Sequence, residues 1–375
     1  MSVFHETEEH RHYLADTRRT ELYSRALAEV IGKDSTVLDL GCGTGILGLL
    51  ACRAGARKVY AIDGGNIIEL AREIADANGL REKIEHRQAL STEATLPERV
   101  DVVVADQIGR FGLECGIWET LADACKRLLK PRGVCVPRSL QLHIAPVEAP
   151  DEWQAANFWS SKPADLDLSP GLRWALNTPR PVSLTPKQVL AEPDRSDSIH
   201  LQTAPRMLKL DASFKLTRAA TVHGIAGWFS TELSPSVQVT NSPLLPRERI
   251  DRDQLLFLIE RPLVLNAGAQ ISVSLTLAAD VMSWSVSFGS ECCSHSTFLG
   301  RLISREELQT SQPEFVPALS AVGEARRLVL NLCDGVRSTA AIERELMQRF
   351  PQLFPTSREA APFVAETVLR YSRLP

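Results

Sequence analysis

The chain has 375 residues, 44% of them hydrophobic and 23% charged, which is the composition of a globular protein with two or three domains. A formal net charge of −4 argues against non-specific nucleic-acid binding, because that binding needs a basic face. No run of about 18 apolar residues predicts a membrane span. Residues 1–6 lack the pattern of a secretory signal, so we expect a cytoplasmic protein with no membrane partner.

Hydrophobic periodicity in the first part of the chain predicts alternating strands and helices. We predict strands at residues 36–40, 58–63, 84–89 and 100–106. We predict helices at residues 46–54, 66–78 and 118–129, the last ended by Pro131 and Gly133. The run 100–106 is almost wholly apolar, as strands of a parallel sheet are. This order predicts a Rossmann-like, doubly wound α/β domain over residues 1–137.

From residue 138 onwards strand-like runs replace the helical pattern, and Pro, Ser and Thr become frequent. We predict strands at residues 141–144, 222–229, 255–259 and 271–277. These runs predict an antiparallel, β-barrel-like substrate domain over residues 138–300. Residues 150–200 within it are rich in Pro, Trp and Asp, which predicts an arm-like or irregular insertion.

The last part of the chain predicts a third, small helical domain over residues 305–375. Helices are expected at residues 324–333 and 338–350, separated by the turn pair Asp334-Gly335. Thr356 and Glu359 have the spacing of a capping box that opens a final helix.

The eight cysteines do not show the C-x-x-C spacing of a zinc site, so we expect no metal. Their scatter through apolar stretches predicts reduced, mostly buried thiols. For the vicinal pair Cys292-Cys293, two small apolar residues near a strand end are favoured over a redox pair.

The strongest motif is the run from Asp39 to Gly45, at the junction of a predicted strand and helix. Gly41, Gly43 and Gly45 remove side chains where the backbone turns sharply and a ligand approaches closely. Asp63 closes the next strand at a spacing of roughly 20 residues, which suits a carboxylate that binds ribose hydroxyls. The motif predicts a nucleoside cofactor rather than a bare structural turn.

The position of Asp39 distinguishes between two nucleoside cofactors. A carboxylate two residues before the first glycine would repel a pyrophosphate, and the third glycine comes one residue early for a dinucleotide motif. The same carboxylate suits a sulfonium ligand that carries an ammonium group. We therefore predict S-adenosylmethionine, with S-adenosylhomocysteine as product. The expected contact residues around the motif are Cys42, Thr44, Leu47 and Gly64.

The run from Val37 to Leu47 resembles the first motif of the protein arginine methyltransferases. Upstream, the family's pattern is followed by His10, Leu14, Asp16, Arg19, Thr20 and Tyr23. The resemblance spans residues 8–290. It implies that Arg19 pairs with the methionyl carboxylate of the cofactor while His10 lies against it. It also implies an adenine site near Ser91, Thr92 and Glu93, and a homodimer in which a barrel arm docks on the partner's cofactor domain.

The active loop departs from that family, whose members carry two glutamates nine residues apart. Asp106 stands at the first position, one methylene shorter, and Cys115 at the second, with Glu114 one place early. Two carboxylates orient a guanidinium, which is always protonated and a poor nucleophile. Asp106 and Glu114 are therefore the catalytic candidates, for arginine or for another nucleophile such as an amine, imidazole or amide.

Further departures concern the acceptor pocket. The family's T-H-W loop is replaced by residues 250–254, and its aromatic N-terminal helix is nearly absent, with only Phe4 at its end. A more open or differently covered pocket is expected. We take Tyr13, Gln107 and Asp251 as candidate substrate-binding residues, although Asp251 and Asp253 also suit a solvated loop.

The C-terminal segment from Leu328 to Thr339, with Ile342, Leu346 and Phe350, resembles PqqD-like peptide-binding domains. The resemblance implies a small winged helix that takes a leader peptide by strand addition, as in pathways that modify ribosomally made peptides. The alternative is a helical cap that completes a core or a dimer contact.

Together these features predict an S-adenosylmethionine-dependent N-methyltransferase that acts on a peptide or protein side chain, a ribosomally made precursor being one candidate. One alternative is an N-methyltransferase of a small molecule, such as free arginine or another amino acid. The other is a non-catalytic protein that binds cofactor and peptide.

Overall fold

The structure, a computed structural model, describes residues 3–203, 207–278 and 281–372, without the side chains of residues 3–7 and 9. The chain divides into two compact units, Met1–Arg301 and Leu302–Pro375.

The first part of the larger unit is built from a parallel sheet and its connecting helices. The helices are α1 (Val3–Ala15), α2 (Thr17–Val30), α3 (Ile46–Arg53), α4 (Ile67–Ala77) and α5 (Ile117–Leu128). The strands are β1 (Thr36–Leu40), β2 (Lys58–Asp63), β3 (Ile84–Gln88), β4 (Val100–Ala105) and β5 (Leu129–Val136). All five strands are parallel, in the order β3-β2-β1-β4-β5, which confirms the predicted α/β class. Central strand β1 is buried at every residue, as its apolar sequence predicts.

The predicted end of α5 is wrong in one respect. α5 ends at Leu128, and the chain enters β5 directly, so that Pro131 and Gly133 lie inside a strand. β5 is the edge strand of the sheet, where a proline costs no ladder hydrogen bond. Arg132 has a φ of +71°, and the pairing register with β4 shifts here, so the strand accommodates both residues as an irregularity.

The second part of the larger unit consists of antiparallel strands, as predicted. They are β6 (Ser139–Val147), β7 (Arg180–Val182), β8 (Asp194–Arg195), β9 (Ile199–His200), β10 (Met207–Lys215), β11 (Ala220–Ser234), β12 (Val237–Thr240), β13 (Gln254–Leu265), β14 (Gln270–Ala278), β15 (Val281–Phe288) and β16 (Glu291–Ser296). One sheet has the order β10-β14-β15-β16. The other has the order β7-β13-β11-β6-β8, with β12 paired to β11 and β9 to β6.

One hydrophobic core runs through the parallel sheet and the antiparallel sheets. Phe111, in the loop after β4, packs edge-to-face on Phe257 of β13, which in turn packs on Trp284 of β15. Gly227 of β11 makes room for Phe111, because a Cβ there would lie 2.5 Å from the ring. Edge-to-face pairs contribute about 0.5–1.5 kcal/mol each beyond their burial. The active loop is thus fixed against the strands of the second part.

The predicted insertion at residues 150–200 is partly helical. It carries α6 (Pro150–Asn157) and α7 (Leu172–Leu176), with short 3-10 turns between them. Trp153 packs into a second core cluster beneath, and its indole N–H donates to the carbonyl of Ile259 at 3.0 Å. The outer part of the insertion exposes Phe158 and Leu166 to solvent.

The prediction of mostly buried, reduced thiols is wrong for several cysteines. The structure pairs the sulfurs of Cys125 and Cys135 in a disulfide. Among the free cysteines, Cys42 and Cys52 are buried, whereas the exposed ones are Cys115, Cys292 and Cys333. In the described part of the chain no group of three or more His, Cys, Asp or Glu residues is arranged to hold a metal ion. None of the described helices is both long and apolar enough to span a membrane.

The smaller unit is helical, as predicted. Its helices are α8 (Arg305–Thr310), α9 (Ala321–Leu332), α10 (Thr339–Arg349) and α11 (Ser357–Tyr371). Serine side chains cap α8, α9 and α10, and Thr356 caps α11. Over residues 302–372 the described backbone forms no strand. The expected strand addition therefore has no partner strand in this unit as described, because its core is made by helices alone.

Candidate active site

The glycine motif forms a tight turn between β1 and α3. Gly41 has a φ of +66° and Gly43 a φ of +52°, a backbone conformation that favours glycine. Neighbouring side chains also exclude a Cβ at both positions. The amide of Gln107 lies against Gly41, and a Cβ on Gly43 would lie 2.7 Å from the ring of His10. The turn therefore lets α1 and the loop after β4 approach the backbone closely.

Asp39 lies buried beneath this turn. Its Oδ2 accepts a hydrogen bond from the backbone N–H of Gly48 at 2.8 Å. Its Oδ1 is buried and has no hydrogen-bond partner among the described residues. Burial raises the pKa of Asp39 to about 7, although the bond from Gly48 opposes the rise. An unpartnered carboxylate oxygen under a glycine turn fits a ligand that carries a positive charge, which agrees with a sulfonium cofactor.

Asp63, at the end of β2, joins the glycine turn to the neighbouring strand. Its Oδ2 accepts from the N–H of Gly43 at 2.9 Å, and its Oδ1 accepts from the N–H of Gly65 at 2.8 Å. Each carboxylate oxygen keeps a second lone pair for a hydroxyl donor. Gly64, next to it, is exposed. Both residues thus stand at the carboxyl end of the sheet, where ligands of doubly wound folds bind.

A cavity of about 120 Å³ lies between α1, α2 and the glycine turn. Its lining residues are His10, Tyr13, Leu14, Arg19, Gly41, Cys42, Gly43, Thr44, Ile46, Leu47 and Asp106. The structure therefore brings together seven of the fourteen predicted cofactor residues, the candidate Tyr13 and the first catalytic candidate around one cavity. Asp39, Gly45, Asp63 and Gly64 do not line it. Binding sites for drug-sized ligands usually measure about 300–1,000 Å³, so this cavity is narrow.

The expectation of a nearly absent N-terminal helix is wrong. α1 spans Val3–Ala15, and its residues His10, Tyr13 and Leu14 line the cavity. The side chain of Phe4, the aromatic residue on which that expectation rested, lies outside the described residues. α1 narrows the cavity, which contradicts the more open pocket and leaves the alternative of a differently covered one.

The predicted adenine residues lie apart from this cavity. Ser91, Thr92 and Glu93 form a turn after β3, in which Thr92 and Glu93 are exposed. The carbonyl of Ser91 accepts a hydrogen bond from Arg127 at 2.7 Å. None of the three lines the 120 Å³ cavity. An adenine site here stays a prediction.

Asp106, the first residue after β4, is held between two guanidinium groups. The Nε of Arg19 donates to its Oδ2, and the two terminal nitrogens of Arg252 lie 3.3 and 3.5 Å from its two oxygens. Burial alone would raise the pKa of Asp106, but Arg252 and Arg19 outweigh it and hold the pKa below its ordinary value. Asp106 is therefore a fixed, ionised carboxylate at the edge of the cavity.

Glu114 does not join Asp106 in that cavity. Its Oε1 accepts from the backbone N–H groups of Arg110 and Phe111, the second at 2.8 Å. Its Oε2 is buried without a partner among the described residues, and its carboxylate lies directly over Gly109. Glu114 lines a different cavity, of about 20 Å³. The expected pair facing one acceptor is not formed, because Glu114 turns back to close its own loop.

The other candidate substrate residues differ in their placement. Gln107 lies beside Gly41, and its amide oxygen accepts from the hydroxyl of Thr120 at 2.8 Å. Asp251 has an exposed side chain, and only its backbone takes part, through an N–H that donates to Asp16 at 2.8 Å. The solvated-loop interpretation of Asp251 is the one that its exposed side chain favours.

Two residues that the sequence analysis did not assign to the site are central to it. Arg252 pairs with Asp106 and stacks its guanidinium over the ring of Tyr13, 5.5 Å from the centroid. Asp16 accepts from the backbone of both Arg19 and Asp251. The sequence feature that could have pointed to Arg252 is its position between Asp251 and Asp253, in the segment that replaces the family's T-H-W loop.

Sequence models of two protein families match successive parts of the chain. Residues 17–137 match the family described as ribosomal protein L11 methyltransferase (PrmA). Residues 138–285 match the arginine methyltransferase oligomerization subdomain. Both parts of the larger unit are thus similar to parts of methyltransferases.

Curated relatives agree with these matches. The Arabidopsis thaliana protein described as "Probable protein arginine N-methyltransferase 6" is 31% identical over 239 residues, 60% of this chain and 54% of that protein. Histone-arginine methyltransferase CARMER of Drosophila yakuba is 29% identical over 290 residues, 71% of this chain and 53% of that protein. The chain spans about half the length of the curated relatives that it matches.

Two solved structures are similar in fold. The Trypanosoma brucei PRMT1 enzyme-prozyme heterotetrameric complex with AdoHcy has a TM-score of 0.69 at 23% identity, covering 76% of this chain and 97% of that one. Arabidopsis thaliana protein arginine methyltransferase 10 has a TM-score of 0.67 at 21% identity, covering 79% and 98%. The chain has the protein arginine methyltransferase fold. This confirms the fold that the sequence resemblance implies.

Proposed function

We propose that this chain is an S-adenosylmethionine-dependent N-methyltransferase that acts on a side chain of a peptide or protein. The observation that carries the proposal is the buried, unpartnered Oδ1 of Asp39, two residues before Gly41, which lines a cavity together with Asp106. The buried carboxylate favours a cationic cofactor, and Asp106 provides a charged group at the same cavity. The similarity of both parts of the larger unit to methyltransferase families supports the same activity.

The cofactor would be held by residues of the first part of the chain. Bound S-adenosylmethionine supplies a methyl group on a sulfonium, ready for transfer to a nucleophile. We assign Arg19 to its carboxylate, since three of its five N–H donors remain after the Nε bond to Asp106 and the bond from a terminal nitrogen to the carbonyl of Tyr13. Asp63 would accept the ribose hydroxyls. The remaining contacts are assigned to His10, Gly41, Cys42, Gly43, Thr44, Gly45, Leu47 and Gly64, and the adenine to Ser91, Thr92 and Glu93.

Because the cavity is narrow, we propose that α1 shifts when the cofactor binds. His10, Tyr13 and Leu14 are the lining residues that would move. The side chain of Gln107 lies against Gly41, and that of His10 lies against Gly43. Because neither glycine has a Cβ, a cofactor that displaced these side chains could contact the backbone directly.

At the acceptor side we assign the catalytic role to Asp106, which is fixed by Arg19 and Arg252. Tyr13 and Gln107 would line the acceptor pocket. For Glu114 we propose a role in shaping the loop, through its bonds to the N–H groups of Arg110 and Phe111. Direct action of Glu114 on an acceptor would have to come through Oε2, since Oε1 is held by those two donors.

We propose a peptide or protein acceptor because curated relatives are named as protein or histone arginine methyltransferases. The chain also carries the helical unit Leu302–Pro375, which we propose as a peptide-binding domain for a leader segment. In this proposal residues 1–137 bind cofactor, residues 138–300 contact substrate, and residues 305–375 bind peptide. A peptide on the last domain would lie between helices rather than extend a sheet.

We also propose a homodimer in which residues 150–200 act as the docking arm. The exposed Phe158 and Leu166 support this, because apolar side chains at the outer part of an insertion are suited to a partner surface.

Calorimetry with S-adenosylhomocysteine tests the cofactor half of the proposal. Native protein should bind it, and Asp39→Asn should weaken binding at least about tenfold because the ammonium loses its counter-charge. Asp34→Asn, at an exposed residue before β1, is the matched control and should bind like the native protein. Absence of binding to the native protein would refute the proposed function.

A further inference from the structure

Arg252 lies against two of the residues that we assign to the acceptor side of the site. One of its terminal nitrogens is 2.6 Å from the carbonyl oxygen of Ile108, and its two terminal nitrogens bracket the carboxylate of Asp106. Its guanidinium also lies over the ring of Tyr13. Asp106 and Tyr13 are two of the residues assigned to the acceptor. The groups that would contact an acceptor guanidinium are thus already in contact with an arginine of the chain itself.

The backbone around Arg252 is anchored from several directions. The N–H of Ile250 donates to the carbonyl of Thr240, and the N–H of Asp251 donates to Asp16. On the other side, Asn241 donates to the carbonyl of Asp253 at 2.8 Å. The side chain of Arg252 is 8% exposed. These contacts hold the segment in place, so the guanidinium of Arg252 is a fixed positive charge in the site.

The charges around Asp106 disfavour a second guanidinium. One carboxylate already faces two cations, Arg19 and Arg252, and Glu114 lines a different cavity. An incoming arginine would bring a third positive charge to the carboxylate of Asp106, in a buried region where repulsion is weakly screened. It would also have to displace Arg252 from the carbonyl of Ile108.

An acceptor without a net charge meets no such barrier. It must offer a lone pair without first losing a proton, because Asp106 is held ionised by its arginines and is a weak base. Neutral imidazole meets both conditions near pH 7, whereas the amine of lysine is protonated there. Its unprotonated ring nitrogen forms the new N–C bond while the methyl–sulfur bond breaks and its electron pair returns to sulfur. The methylimidazolium then releases its N–H proton to water.

We infer that Arg252 excludes guanidinium acceptors from this site, and that the acceptor is an uncharged nitrogen with a free lone pair, as in histidine. This inference rests on the proposed methyl transfer and names the class of its acceptor. Arg252 is in this account the residue that sets acceptor specificity.

The test measures binding of small acceptor probes to the full chain loaded with S-adenosylhomocysteine, by saturation-transfer NMR. The probes are N-acetylarginine methylamide and N-acetylhistidine methylamide at pH 7.5. The native protein should bind the histidine probe. The arginine probe should bind the native protein at least about tenfold more weakly than it binds the Arg252→Ala variant. Arg252→Gln, which keeps an amide donor for Ile108, serves as a second variant if the alanine variant does not fold.

Arg249→Ala is the matched control. Arg249 precedes Arg252 by three residues in the same segment, but it bonds to the carbonyl of Leu184 at 3.0 Å instead of Asp106. The control should behave like the native protein toward both probes. Equal binding of the arginine probe to native and Arg252 variants, or binding to neither, would overturn the exclusion by Arg252. Failure of the histidine probe to bind the native protein would overturn the assignment of a neutral acceptor.

The experiment distinguishes a failure of the proposed function from a failure of the inference about Arg252. If S-adenosylhomocysteine does not bind the native protein, the proposed function fails. If it binds but the probes show the wrong pattern, only the inference about Arg252 fails.

Discussion

The Oδ2 atom of Asp16 accepts a hydrogen bond from the backbone N–H of Asp251 at 2.8 Å. Its Oδ1 accepts from the backbone N–H of Arg19 at 2.9 Å, which makes Asp16 the N-cap of α2. One carboxylate therefore fixes both Arg19 and the segment that carries Arg252. The two cations that flank Asp106 are positioned by the same residue, although they are far apart in the sequence.

Replacement of Asp16 should disturb stability and the site together. Asp16→Ala removes an N-cap and an anchor of residues 250–253, and we expect a loss of about 1–2 kcal/mol in the free energy of unfolding. Binding of S-adenosylhomocysteine should weaken as well. Urea unfolding and calorimetry measure the two effects. Ser338→Ala removes the cap of α10 in the other unit and should leave cofactor affinity unchanged. Equal affinity in Asp16→Ala would show that Asp16 does not position Arg19.

Cofactor binding should depend on pH through Asp39. Its pKa of about 7 is raised by burial, so near neutral pH part of the free protein carries a proton there. A cationic ligand favours the carboxylate form, hence binding releases a proton and affinity for S-adenosylmethionine should rise as pH rises from 6 to 8. Calorimetry in buffers of different ionisation enthalpy measures both quantities. Any pH dependence that persists in Asp39→Asn belongs to other groups.

The raised pKa of Asp39 should also make the stability of the ligand-free protein depend on pH. Because the folded-state pKa of Asp39 lies above the ordinary value of 3.8, the folded protein binds more protons than the unfolded chain between about pH 4 and 7. This group therefore lowers the free energy of unfolding as pH rises through that window. The free energy of unfolding of Asp39→Asn, relative to that of the native protein at the same pH, should be higher at pH 8 than at pH 5. An unchanged difference between the two pH values would contradict the raised pKa.

Removal of the Asp106 charge should be costly because it leaves two buried guanidiniums without a counter-charge. We expect Asp106→Asn to lose about 3 kcal/mol in the free energy of unfolding, together with most of its methyl transfer. Asp101→Asn is the control, at a residue of the preceding strand β4. Asp101 pairs with Lys130 at a half-exposed site, so its replacement should cost about 1 kcal/mol or less. Equal losses in the two variants, measured by urea unfolding, would contradict the buried pairing of Asp106.

The role of Glu114 can be separated from that of Asp106 by two substitutions. Glu114→Gln keeps an oxygen for the N–H groups of Arg110 and Phe111, so turnover should change less than about fivefold. Glu114→Ala removes the acceptor of those donors and should lower stability by about 1–3 kcal/mol. A loss of 100-fold or more in Glu114→Gln would instead identify it as a second catalytic carboxylate.

The exposed residues of the insertion give a test of the proposed dimer. Phe158→Ser combined with Leu166→Ser should shift the protein from dimer to monomer in size-exclusion chromatography with light scattering. Met207→Ser is a control, because Met207 is also exposed but lies on β10, outside the insertion. A native protein that is monomeric at micromolar concentration would contradict the proposed arm.

Much of the fold could be predicted from local sequence. The strand from Thr36 to Leu40 is buried throughout and is followed by glycines in a tight turn, so the sequence pattern and the turn chemistry agree. The strand at Met207–Lys215 was not predicted, although its buried and half-buried residues alternate with exposed ones as in a half-buried strand. The run contains no β-branched residue, which weakens the strand signal. The edge strand with Pro131 was missed since a proline is tolerated there only by virtue of tertiary position.

The cofactor side of the site was predictable, whereas the acceptor side was not. Asp39 and the glycines carry their signal in a contiguous motif. Arg252 reaches Asp106 across 146 positions in the sequence, and Glu114 turns toward neighbours only three and four residues away. Whether a side chain contacts a distant residue or a neighbour in its own loop depends on the path of the loop backbone. The spacing of residues in the sequence does not determine that path.

The central claim is methyl transfer to a peptide side chain, and intact-mass analysis tests it most directly. Purified protein is incubated with S-adenosylmethionine carrying a deuterated methyl group, together with a peptide encoded beside its gene and, separately, free arginine. The account predicts the mass of the labelled methyl on the peptide, at a site that fragmentation locates, and none on free arginine. Confirmed binding of S-adenosylhomocysteine with no label on the peptide, or with label on free arginine alone, would contradict it.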